Sequence, residues 1–173
     1  MAAKSKNKIT PFLWLEKDAD VAAKFYASIF KPSKIVSRSP MATTIIVHGQ
    51  HIILFNGGSH LKLTPAASLF VDCKSQDEVD KYWSKLVDGG APSRCGWLTD
   101  KYGLSWQIVP TVLGDLLGSK DRAKAQRVMN AMMTMVKLDV QALKDAAEDP
   151  DKGAKKAAKK ATTKAAPKSK RGK

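Results

Sequence analysis

The sequence predicts an α+β fold made of a duplicated βαβββ unit, followed by C-terminal helices. Strand-like runs frame short amphipathic helices, that pattern recurs 57 residues further on, and helical periodicity takes over after Pro110. At 173 residues with 43% hydrophobic content, the chain is long enough for one ordinary domain with a real core.

Residues 9–15, ITPFLWL, read as a strand. Asp18 or Asp20 then caps a helix whose apolar face is Val21, Phe25 and Ile29 at four-residue spacing, and Pro32 ends it. Two β-branched runs follow, KIVS near residue 35 and TTIIVHG up to Gly49, and HIILF resumes after a Gly49-Gln50 turn. The pattern restarts with the strand SLFVDC and a helix opening at Ser75, where Ser75 and Glu78 form a capping box. Val79, Tyr82, Trp83 and Leu86 give that helix its apolar face, and Gly89-Gly90 stops it. Strand material ends in SWQIVP, where Leu104, Trp106 and Ile108 alternate with Ser105, Gln107 and Val109. Setting Phe25-Tyr26 against Tyr82-Trp83 places Pro11 opposite Ser68 and Ile29 opposite Leu86. A short helix over Val112 to Leu117 is expected next, then one from Ser119 with the stripe Ala125, Met129, Met132 and Val136. The methionines fit packing on the same domain or on a dimer mate. DVQALKDAAE is the last helical piece before Pro150.

No apolar run approaches the roughly 20 residues needed to cross a bilayer, so a cytoplasmic protein without a membrane span is expected. Cys73 and Cys95 fit neither a disulfide framework nor a CxxC site, and read as free thiols. The net charge of +14 is concentrated at the ends, in a basic arm over residues 1–8 and in a tail over 150–173. Residues 151–173 hold ten Lys or Arg and one Asp. The tail is low in complexity and poor in apolar bulk, so it is expected to be disordered. Lys155, Lys156, Lys159, Lys160, Lys164, Lys168, Lys170 and Arg171 could neutralise phosphates in nonspecific, salt-sensitive DNA or RNA binding, as in a nucleoid-associated protein. A solubilising tail with no dedicated partner is the alternative.

Three stretches, FLWLEKDADVAAKFYASIF, HIILFNGGSHLKLTPAASLFVDCKSQDEVDKYW and CGWLTDKYGLSWQIVPT, closely resemble the PhnB-like branch of the glyoxalase and bleomycin-resistance superfamily, also called vicinal oxygen chelate. The resemblance covers about residues 8–145. It implies two βαβββ modules, about 9–58 and 66–110, with helices over 112–147, usually in a homodimer. Relatives in this branch often carry the name 3-demethylubiquinone-9 3-methyltransferase. No glycine-rich strand-to-helix loop suited to S-adenosylmethionine is present to support that activity.

In metal-using members of the superfamily, His, Gln or Glu on the first and last strands of the modules hold a divalent ion. Carried over, those positions reach Pro11 or Thr10, Phe55 or Asn56, Ser68 and Gln107. None is His or a carboxylate, so the cleft is expected to hold no metal and no cofactor. The expected role is binding of an unidentified small molecule. Asn56, His60, Ser68 and Gln107 would make polar contacts, and Trp14 and Trp106 would serve as walls. His60 follows two glycines that let backbone approach a ligand, whereas His48 and His51 read as solvated hairpin residues. A metal-dependent lyase or dioxygenase, the methyltransferase of the family name, and a nucleoid-associated dimer are the alternative functions.

Overall fold

The computed structural model describes residues 8–148. The elements are β1 (Phe12–Leu15), α1 (Ala19–Ile29), β2 (Ser33–Arg38), β3 (Ala42–Val47), β4 (Gln50–Asn56), β5 (Ser68–Cys73), α2 (Gln76–Leu86), β6 (Ala91–Pro92), β7 (Trp97–Thr99), β8 (Ser105–Pro110), α3 (Val112–Leu117), α4 (Arg122–Met133) and α5 (Val140–Glu148). The described residues form two compact units, one of residues 8–69, 85–91 and 99–105, the other of 70–84, 92–98 and 106–148. The basic arm before residue 8, and the tail with Lys155 to Arg171, lie outside the described residues.

The first sheet has the order β1-β4-β3-β2, with β1 parallel to β4 and the other pairs antiparallel. The second, β5-β8-β7-β6, repeats that order strand for strand, as a duplicated βαβββ unit requires. The repeat has two offsets. Buried Tyr26 and Trp83 stand 57 residues apart, but buried Leu15 and Cys73, and exposed Phe12 and Phe70, stand 58 apart. The reason is a strand-to-helix connection of residues 16–18 in the first half and only 74–75 in the second. Thr10, not Pro11, is therefore the counterpart of Ser68.

Three expectations about the first half need correction. The buried face of α1 is Ala19, Ala22, Ala23, Tyr26 and Ile29, whereas Val21 is 53% exposed. The small alanine side chains let the helix lie close against β2, β3 and β4, and that favours their stripe over the bulkier Val21. Asp18 occupies the N-cap position at φ 64° without a side-chain cap, and Asn56 Oδ1 instead accepts the Ala19 N–H at 2.8 Å. Asp20 pairs on the surface with Lys24 and Arg38. The turn between β3 and β4 is also one residue earlier than expected. His48 and Gly49 have φ of 47° and 83° and form the two-residue loop, so Gln50 joins β4 ahead of the expected HIILF run, and His51 is half-buried within the strand.

Thr43 is 1% exposed on β3, and its Oγ1 has no hydrogen-bond partner. Thr43→Val keeps the shape and removes the stranded hydroxyl. It is expected to raise stability by about 1 kcal/mol, read as a higher urea midpoint at unchanged m-value.

In the second half the expected helix start holds. Ser75 Oγ accepts the Glu78 N–H at 3.3 Å, and Glu78 reaches back to the Lys74 N–H at 2.7 Å. Val79, Tyr82, Trp83 and Leu86 are all buried. The C-terminal helices share a core that includes Leu113, Val128, Ala131, Met135, Leu138 and Leu143. The expected stripe is turned relative to this core, since Met129 and Val136 are 38% and 48% exposed. Asp121 caps α4 through the Lys124 N–H, and Arg127 donates to Ala146 O at 3.1 Å and Ala147 O at 2.8 Å, fixing which side of α4 meets α5. Val136 lies past the helix end.

Cys73 and Cys95 are free thiols. Burial first, then the nearby Glu78 and Asp72 carboxylates, pushes the Cys73 thiol up to about 12. Among the described residues, no helix is long and apolar enough to cross a membrane.

Candidate functional site

Strand pleating gives the first sheet two unlike faces. Leu15, Thr43, Ile45, Ile52 and Leu54 are buried on the side that α1 covers. The other side is carried by Phe12 and Trp14 of β1, Ala42, Thr44 and Ile46 of β3, and His51, Ile53 and Phe55 of β4. These residues are half-buried, except that Phe12 is 55% exposed.

The aromatic side chains on this face form a connected group. Phe12 and Phe55 lie 5.3 Å apart between ring centroids, Trp14 meets Phe55 edge-on at 5.1 Å, and Trp14 meets His60 edge-on at 4.9 Å. The indole is held in place, because Trp14 Nε1 donates to Gly58 O at 2.9 Å. It also lies against Gly57, where an added Cβ would come within 2.0 Å of the ring. Gly57 thus makes room for the indole and not for a ligand, and Gly58, at φ 87°, supplies the carbonyl that holds it.

Of the six residues expected to bind ligand, Trp14 and His60 come together on this face. Asn56 is on the helix side of β4, and besides capping α1 it donates from Nδ2 to Pro40 O at 2.9 Å. Trp106 is 4% exposed and lies with Ile108 on the buried side of β8. Ser68 on β5 and Gln107 on β8 are half-buried strand residues of the second sheet. Phe12 was missed, Phe55 entered only as a carried-over metal position, and His51 was read as a solvated hairpin residue, although the alternation of FLWL and HIILF puts all three on one face.

The carried-over metal positions lack the donors that a divalent ion needs. Asn56 has both amide atoms engaged, Phe55 supplies no donor, and Thr10, Ser68 and Gln107 offer neither imidazole nor carboxylate. This set does not fit zinc, nickel or iron. Among the described residues, no group of three or more His, Cys, Asp or Glu gathers where it could hold a metal ion.

A second polar feature of this unit is structural. Tyr26 Oη donates to Asp100 Oδ2 at 2.8 Å, and both residues are buried. Asp100 Oδ1 also accepts the N–H groups of Tyr102 at 2.9 Å and Leu104 at 3.1 Å. Burial first, then the Asp100 charge, raises the Tyr26 phenol well above its ordinary range. Phe25 and Tyr102 pack around the pair, and Lys101 Nζ sits 4.2 Å from the Phe25 centroid.

The family model described as 3-demethylubiquinone-9 3-methyltransferase matches residues 7–109. A PhnB protein of Bacillus cereus, whose description carries the same methyltransferase name, is 32% identical. The match covers 61% of this chain and 100% of that one, with a TM-score of 0.57. A protein from Pseudomonas aeruginosa shares the fold at 15% identity and a TM-score of 0.52, with 61% of this chain and 98% of that one covered. No curated protein matches the chain.

Proposed function

We propose, for a chain that belongs to the 3-demethylubiquinone-9 3-methyltransferase family, in the PhnB-like branch of the glyoxalase superfamily, a role in binding a small organic molecule without a catalytic divalent metal. The observation that carries this reading is the aromatic group on the first sheet. Phe12, Trp14 and Phe55 stand on the face that α1 leaves open, and Phe12 is 55% exposed. Such a surface suits a planar or apolar ligand. Ligand-observed NMR with a fragment library is expected to find binders whose affinity falls about tenfold in Phe12→Ala, from lost ring contact. Fragments that bind the variant equally well would rule this face out.

The family name also suggests methyl transfer. The strand-to-helix connections, residues 16–18 and 74–75, contain no glycine with which to cradle S-adenosylmethionine. Saturable binding of S-adenosylmethionine in a calorimetric titration would nevertheless replace the binding reading with the methyltransferase one.

The tail supports a separate role. Its ten Lys or Arg against one Asp suit weak binding to a nucleic-acid backbone. Removing residues 151–173 is expected to abolish salt-sensitive binding to duplex DNA in an anisotropy titration. Unchanged affinity would reject that role.

A further inference from the structure

Resting on the small-molecule reading above, we infer that the ligand is an amphipathic anion. Its apolar or aromatic body lies over Phe12, Trp14 and Phe55, and its acidic group reaches toward Lys34 and His51.

Sheet register supplies the placement. Lys34 pairs with Ile46, and Ile46 pairs with His51, so these three form one row across β2, β3 and β4. Thr44, Ile53 and Phe12 form the next row, and Ala42, Phe55 and Trp14 the one after. Rows two residues apart along β4 are separated by about 7 Å, so the basic row lies about 14 Å from the Trp14 row. The face therefore runs from a basic end, through Thr44, Ile46 and Ile53, to an aromatic end with His60 at the edge of Trp14.

Charge decides what the basic end would take. Between residues 8 and 69 the acidic residues are Glu16, Asp18 and Asp20, all in the connection after β1 or the first turn of α1. None lies on the four strands of the sheet. Asp20 is paired with Lys24 and Arg38, not with Lys34. An anion on this face meets an ammonium from Lys34 and a ring donor from His51, with no strand carboxylate to repel it. The chain's own tail is an unsuitable occupant, because its charge has the same sign as Lys34.

The test compares 4-phenylbutyrate with 4-phenylbutan-1-ol on the full chain, two probes of similar length that differ in the acid group. Titrations followed by 1H–15N correlation spectra are expected to shift Phe12, Phe55 and the Trp14 indole for both probes. The carboxylate is expected to bind about fivefold more tightly at low salt. Lys34→Gln with His51→Gln should remove that preference by bringing the affinity for the carboxylate down to that for the alcohol. Equal affinities in the wild type, or a preference that survives both substitutions, would overturn the anion inference alone. Failure of both probes to bind or to perturb Phe12 and Trp14 would overturn it together with the small-molecule reading.

Discussion

Asp100→Ala is expected to cost about 4 kcal/mol of stability, the largest effect of any single substitution argued for this chain. The carboxylate is 3% exposed and accepts from the Tyr26 phenol and from the Tyr102 and Leu104 N–H groups. Alanine leaves all three donors without that partner in a site closed to water. Tyr26→Phe should cost less, about 2 kcal/mol, because Asp100 keeps both backbone donors. The pair also sets an alkaline limit. The folded chain holds the Tyr26 proton to a higher pH than the unfolded chain does. Its contribution is therefore complete below pH 10 and is lost as the pH rises from about 10 toward the folded-state value. Urea denaturation would give the two stability losses. Melting temperatures between pH 8 and 11 should fall less steeply for Tyr26→Phe than for the wild type.

Gly57→Ala is expected to cost about 2 kcal/mol and to disable the aromatic face. The new methyl would sit 2.0 to 2.4 Å from three indole atoms of Trp14, far inside contact distance. The ring cannot yield by a small rotation, because its Nε1–H is bonded to Gly58 O and its edges meet Phe55 and His60. The clash therefore drives the indole off its seat. Thermal denaturation would show the loss, and the Trp14 indole N–H resonance should move. Gly49→Ala separates backbone strain from this crowding, since Gly49 has φ of 83° and nothing within 4 Å of an added Cβ. It should destabilise the hairpin and leave the Trp14 resonance in place.

The order of elements could be read from the sequence because each carries its own period. FLWL, HIILF and SWQIVP alternate, and Val79, Tyr82, Trp83 and Leu86 mark one side of α2. Rotational and register details were harder to read. Alanines carry little apolar weight, so the true stripe of α1 was hidden behind Val21. A one-residue error at the His48-Gly49 turn left Gln50 out of its strand, and His51, although inside the HIILF run, was read as a solvated hairpin residue. Among the site candidates, hydrogen-bonding capacity alone could not tell a ligand contact from a helix cap. Asn56 is the cap, and Trp106 is core, because strand parity sets the side on which each stands.

Strand β4 divides two duties between alternate residues. Ile52, Leu54 and Asn56 hold the core and the start of α1, while His51, Ile53 and Phe55 face away from it. A mutational drift that exchanged only the second set would change the chemistry of the open face and spare the buried core. Relatives built on this strand could thus differ on the open face through three side chains while keeping the helix side of the sheet unchanged.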